Sequence, residues 1–111
     1  MADINIGKKE KNNTPVLEVQ GEVDIYTAPK LKKEILSLID DGKYTMIIDL
    51  ANVDFMDSSG LGVLVSGLKR VSPHDGKIYL IANRPNIIKI FNITGLDKVF
   101  EIYANIEEIA N

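Results

Sequence analysis

Apolar positions along the chain repeat with two different periods, and the switches between them outline a fold. Val16, Leu17 and Val19 fall within Pro15 to Gly21 in loose alternation with polar residues, which predicts a half-buried strand. Ahead of it, Ile4 to Ile6 predicts a short edge strand, and the polar run Lys8 to Thr14 reads as a turn. The period then becomes helical. Leu31, Ile35, Leu38 and Ile39 share one face, with Thr27 placed as N-cap, Pro29 tolerated in the first turn and Gly42 as the stop. Met46 to Leu50 is a continuous apolar run broken only by Asp49, as expected of a central strand covered on both sides. From Leu61 the helical spacing returns through Leu64, Val65, Leu68 and Val71, the most regular stripe in the chain. Ser72 to Gly76 is a turn cluster and Lys77 to Ala82 a further strand. Pro85 opens a third helix with Ile87, Ile90 and Phe91 inward and Gly95 past its end. Val99 to Tyr103 predicts a last strand, and Asn105 a cap for a short final helix with Glu107 and Glu108 near its positive end.

Two strands followed by strand–helix alternation imply an α/β domain. Its sheet would be mixed, with four to five strands and with helices packed mainly on one face. The 111 residues suit a single domain with its core between about residues 4 and 109. Hydrophobic residues make up 45% and charged residues 26%, the balance of a chain able to build one core without staples. A net charge of −3, with both signs interspersed, gives no drive toward nucleic acid or an anionic membrane. With no cysteine, disulfides, thiol catalysis and thiolate metal sites are excluded. The N-terminal stretch has no signal-like apolar run, and Leu61 to Leu68 is too short and too broken to span a bilayer, so the expected setting is cytoplasmic.

The chemistry concentrates in Asp54 to Gly62, between the most buried strand and the most regular helix. Either Asp57 or Ser58 would occupy the helix N-cap, where a side-chain oxygen accepts an unpaired backbone N–H. The helix dipole makes that position tolerant of an anion. Opposite the apolar stripe the helix presents Ser59, Gly62, Val63 and Ser66, a smooth face that another protein can approach closely. A phosphate on a serine there would add about −1.5 to −2 charges, with Asp54 and Asp57 adding like-charge repulsion. Local residues permit such a switch without singling it out, because a Ser-Ser-Gly opening most often serves only as a cap and tight turn.

Phe55 to Val63, with its Asp57-Ser-Ser-Gly-Leu-Gly62 block, resembles the phosphoacceptor segment of bacterial anti-sigma-factor antagonists, which are single STAS domains. Gly21 to Asp24, Met46 to Leu50 and Ile93 to Phe100 agree with that family in order and spacing, so the likeness runs from about Ile4 to Ile109. The resemblance implies partner switching. The unphosphorylated antagonist binds an anti-sigma factor that is also a serine kinase, freeing the sigma factor; phosphorylation of Ser58 abolishes binding, and a PP2C-type phosphatase reverses it. ATP and Mg²⁺ would belong to the kinase, leaving this chain with no cofactor, no metal and no catalysis of its own. Ser59 is the second choice of acceptor. The expected partner surface comprises Asp24, Asp57, Ser58, Ser59, Gly62, Val63 and Ser66, with Asp57 and Gly60 also shaping the turn and Asp24 alternatively a plain turn acid. The same smooth face leaves weak self-association open.

Other classes stay in view. A soluble STAS subunit of another signalling or transporter assembly would share these motifs. A receiver-like phosphoaspartate domain would need an acidic pair after the first strand, an acceptor aspartate after a central one and a late lysine to hold Mg²⁺ and phosphate; Asp49 and Asp54 flank the right strand, but no acidic pair follows the early strands. His74, the single histidine, lies in a Pro-His-Asp-Gly turn that suits a solvated loop better than a catalytic base.

Overall fold

Asn12 and Asn13 both adopt positive φ, at 51° and 70°, the left-handed pair that reverses a chain in two residues. They join β1 (Ile4–Lys11) to β2 (Thr14–Val23) as an antiparallel hairpin. The computed structural model describes residues 3–109. Its β1 runs five residues beyond the strand read from sequence, and the turn shrinks from Lys8–Thr14 to the two asparagines. The reason is the strand's place at the sheet edge. Residues 7–10 are exposed, so they keep a strand backbone without an apolar alternation, and their charges blunt the free edge.

After the hairpin come α1 (Ala28–Asp40), β3 (Met46–Met56), α2 (Ser58–Val71), β4 (Ile78–Ile81), α3 (Pro85–Thr94) and β5 (Glu101–Tyr103). The sheet order is β1-β2-β3-β4-β5, parallel in every pairing after the first. Because each crossover steps the same way across the sheet, the right-handed rule sends all three helices to one face. Leu31 and Ile35 of α1, Leu61, Leu64 and Val71 of α2, and Ile87 and Phe91 of α3 meet the strands there in one core. Each such side chain contributes about 1.5–3 kcal/mol by leaving water. Gly95, at φ 77°, ends α3 as the sequence predicts. The mixed five-stranded sheet and one-sided helices match the expected class.

The opposite face carries a smaller cluster of Val16, Ile47 and Ile81. Ile109 and Ile106 pack on it from a single 3-10 turn at Ile106–Glu108, shorter than the helix expected after Asn105. Lys11 fastens this turn, its Nζ donating to the carbonyls of Ile106 (2.6 Å) and Ile109 (2.9 Å).

β3 continues six residues past Leu50, where the apolar run ends. Between Glu18/Asp49 and Gln20/Asn52, and again between Gly21/Val53 and Glu22/Phe55, β3 spends one residue more than β2. Two such bulges shift the inward set from Met46, Ile48 and Leu50 to Val53 and Met56, which hides the strand from a period-2 reading. Asp49 serves the first bulge: its Oδ1 accepts the N–H of Ala51 at 2.9 Å.

Candidate functional site

The second bulge delivers β3 to Met56 beside the end of β2, and α2 begins two residues later. Asp57 takes the N-cap, with extended backbone (φ −107°, ψ −171°) and Oδ1 accepting the N–H of Ser59 at 2.8 Å. Its own N–H donates to the carbonyl of Val23 at 3.1 Å, stitching the β3–α2 turn to the β2 end. The choice left open by the sequence is thereby resolved. Asp57 caps, and Ser58 is the first residue of α2, exposed at the rim. Ser59 sits half-buried behind it. Gly60 is buried, and a Cβ there would lie 2.7 Å from Val23 Cγ1 and 2.8 Å from Met56 Cγ. Its absence lets the helix start settle onto the two strand ends.

Further along α2, Gly62 is exposed while Val63 and Ser66 are half-buried. No heavy atom lies within 4 Å of where a Gly62 Cβ would stand. Gly62→Ala should therefore stabilise the fold by about 0.5–1 kcal/mol, the usual gain from removing a mid-helix glycine. A urea melt with a raised midpoint and unchanged slope is the expected readout; a lowered midpoint would contradict the open surface over this residue.

Asp24 lies in the adjoining β2–α1 loop, half-buried, with its carboxylate turned to its own backbone. Oδ1 accepts the N–H of Tyr26 (2.9 Å) and of Thr27 (3.0 Å). Thr27 stands at the N-cap of α1 as expected but makes no side-chain cap bond. Its hydroxyl instead donates to the Glu22 carbonyl (2.7 Å) and accepts the Asp24 N–H (2.9 Å). The Val23 junction thus joins the Asp24 loop to the Asp57–Ser58 turn, with Ser59, Gly62 and Ser66 following along α2. Val63, expected on the outward face, instead packs against the core, because that face of α2 is flanked by other elements of the fold.

Sequence reasoning passed over four residues here. Arg84 donates through Nε to the Ala51 carbonyl (3.0 Å) and pairs with Asp54, and Asn86 donates to the Asp54 carbonyl (2.9 Å). Together they close the edge of β3 where β4 has already ended. Ile25 and Tyr26 are 65% and 82% exposed in the β2–α1 loop. Their signal was available, because they are apolar residues outside any strand or helix period.

The acids of the receiver alternative go elsewhere, Asp49 to the bulge and Asp54 to Arg84. Among the described residues, no three His, Cys, Asp or Glu side chains gather so as to hold a metal ion. His74 stacks its ring on Tyr44, centroids 3.9 Å apart and planes within 3°. Elsewhere in the sheet, Lys9 is shifted upward by its hydrogen bond and ion pair with Glu18, and the Tyr103 hydroxyl upward by its hydrogen bond to Glu101.

Residues 5–109 match the family model described as the STAS domain. The chain belongs to the STAS domain family. The anti-sigma-B factor antagonist of Bacillus subtilis (strain 168) is 35% identical to this STAS domain over 105 residues, 95% of each chain. The crystal structure of an anti-sigma factor antagonist from Mycobacterium paratuberculosis superposes with a TM-score of 0.87 at 30% identity, covering 95% of this chain and 89% of that one. SpoIIAA in its unphosphorylated form shares the fold at a TM-score of 0.72 and 23% identity, covering 95% of this chain and 91% of that one. No described helix of this STAS domain is long and apolar enough to cross a membrane.

Proposed function

We propose that this STAS domain is an anti-sigma-factor antagonist whose Ser58 hydroxyl form binds an anti-sigma factor with serine kinase activity and whose Ser58 phosphate form does not. The reading draws on the relatives of that name and on one observation above all, an exposed Ser58 relieved of capping by Asp57. Were Ser58 the cap, phosphorylation would disturb the start of α2. As the first helical residue it takes a dianion where the dipole favours one, at no cost to the helix. The phosphate would then sit next to the carboxylate of Asp57, with the exposed Gly62 further along the same helix. A PP2C-type phosphatase restores the hydroxyl, and ATP and Mg²⁺ stay with the kinase.

Labelling tests the assignment. Each serine-kinase anti-sigma factor of the source organism is purified and incubated with this chain, ATP and Mg²⁺, and the product is mapped by mass spectrometry. One of them is expected to add a single phosphate to Ser58, lost in Ser58→Ala and retained in Ser59→Ala. The reverse pattern transfers the role to Ser59, and labelling by none of them removes the reading.

A further inference from the structure

The two edges of the sheet are finished differently. β1 is long and holds Lys8, Lys9 and Glu10 in solvent, whereas β5 is only Glu101–Tyr103 and has a groove of about 360 Å³ beside it. Ile88 and Asn92 of α3, Asp97 and Ile102 of β5 line this groove, with Ala82 and Ala104 at the carboxyl ends of β4 and β5. Tyr103 turns its carbonyl to β4, accepting the Ala82 N–H at 2.9 Å. Backbone groups alternate along a strand, so the N–H and C=O of Ile102 face away from β4, on the side where no further strand follows. The Ile102 side chain belongs to the helix side of the sheet and that of Tyr103 to the back. A strand laid along β5 therefore meets one N–H and one C=O at Ile102 and, on its helix side, room for a side chain between Ile88 and Ile102. Val99, two residues ahead of β5 and 53% exposed, continues the apolar surface.

We propose that the β5 edge is a docking site for an extended segment of another protein in which apolar and basic residues alternate, and that this segment joins the sheet as a further strand. Main-chain pairing at Ile102 holds such a segment, and the groove selects its side chains. The charge around the groove chooses the occupant. Asp97 in the groove wall and Glu108 beside Ala104 have no ion-pair partner among the described residues, and Glu101 has only Lys77 at 3.7 Å. Carboxylates left unpaired along an edge are complemented by lysine or arginine. A second copy of this chain lacks that complement. Its β5 would set Asp97 and Glu101 against their own kind, and on its β1 Lys8 and Lys9 are already paired, with Glu34 at 2.8 Å and Glu18 at 2.9 Å. The shortness of β5 guards it against indiscriminate pairing, so only a segment that also fills the groove is held. β4 separates β5 from β3 and the Ser58 turn, and docking here is independent of the Ser58 state.

The probe is a short, end-blocked peptide of alternating valine and lysine, titrated into the isotope-labelled chain and followed by NMR. The amide signals of Ile88, Asn92, Asp97, Ile102 and Ala104 should shift together, and at saturation the Ile102 N–H should exchange with solvent about tenfold more slowly. A valine–glutamate peptide, and the valine–lysine peptide methylated at every backbone nitrogen, should each bind about tenfold more weakly or worse. Asp97→Lys should weaken binding of the valine–lysine peptide by a similar factor. Asn92→Tyr, which puts a ring into the groove from an exposed helix position, should abolish it. Both variants should melt at the normal temperature, and Ser58→Asp should bind the peptide as the unaltered chain does. If the methylated peptide binds equally well, charge alone holds it and no strand is added. Shifts that gather on residues 5–11 would move the site to β1 and overturn the proposal. An unliganded chain that sediments as a dimer, with Asn92→Tyr a monomer, would make a second copy the occupant instead. No binding of the valine–lysine peptide rejects the site outright.

Discussion

Ser58→Asp is expected to weaken binding to the anti-sigma factor roughly a hundredfold or more, while Ser58→Ala binds within about threefold of the unaltered chain. The difference follows from what each side chain carries into a packed contact. Alanine removes a hydroxyl that makes no structural contribution as a cap, since Asp57 fills that position. Aspartate brings a fixed charge next to Asp57, and desolvating an unpaired carboxylate costs several kcal/mol, where every ~1.4 kcal/mol is tenfold in affinity. Stability should move the other way. The first turn of α2 has no acidic residue, so a carboxylate there gains about 0.3–1 kcal/mol from the helix dipole, part of it offset by Asp57. The melting temperature of Ser58→Asp should then equal or slightly exceed that of Ser58→Ala. Lost binding in a fold that is no less stable separates an interface effect from damage; equal affinity of the two variants would remove the switch.

The three helices were legible because each has a strong period and a definite stop. Leu61 through Val71 needs no other argument, and Gly95 ends α3 where the pattern breaks. The strands were less legible wherever the sheet departs from regular pairing. Two bulges carry β3 to Met56, six residues past the Met46 to Leu50 run read from sequence, and solvent on the outer side of β1 removes the apolar alternation from residues 7–10. At the site, the motif drew attention to Ser58, but only the cap geometry distinguishes its place from that of Ser59. Asp24 shows the opposite limit. A turn acid and a partner contact have the same sequence signature, and the hydrogen bonds to Tyr26 and Thr27 emerge only when the loop is built. Ile25 and Tyr26 were passed over because apolar residues in a four-residue loop belong to no period.

Gly76→Ala should be the most damaging single methyl in the chain. A Cβ at Gly76 would stand 2.0 Å from the Tyr44 carbonyl oxygen and 2.8 Å from Tyr44 C and Cβ. Compare Gly60, where the neighbours are the side chains of Val23 and Met56, able to turn aside. Tyr44 offers backbone, and that backbone is pinned. Two residues on, the Met46 N–H donates to the Lys77 carbonyl at 3.0 Å, and the Gly76 N–H is held by the Val71 carbonyl at 2.9 Å. Relief requires separating the segment entering β3 from the one entering β4, which are paired over only four positions, Met46–Ile78 to Asp49–Ile81. The stack of Tyr44 on His74 would be lost with it. Overpacking without escape costs about 3 kcal/mol or more, which for a domain of this size lowers the melting temperature by roughly 10 °C. Calorimetric melting checks it, and a midpoint within about 2 °C of the unaltered chain would show that the Tyr44 segment yields freely. Since Gly76 enters β4 at its amino end, opposite the strand ends that carry Ser58, the fraction still folded at low temperature should be labelled by the kinase at the normal rate.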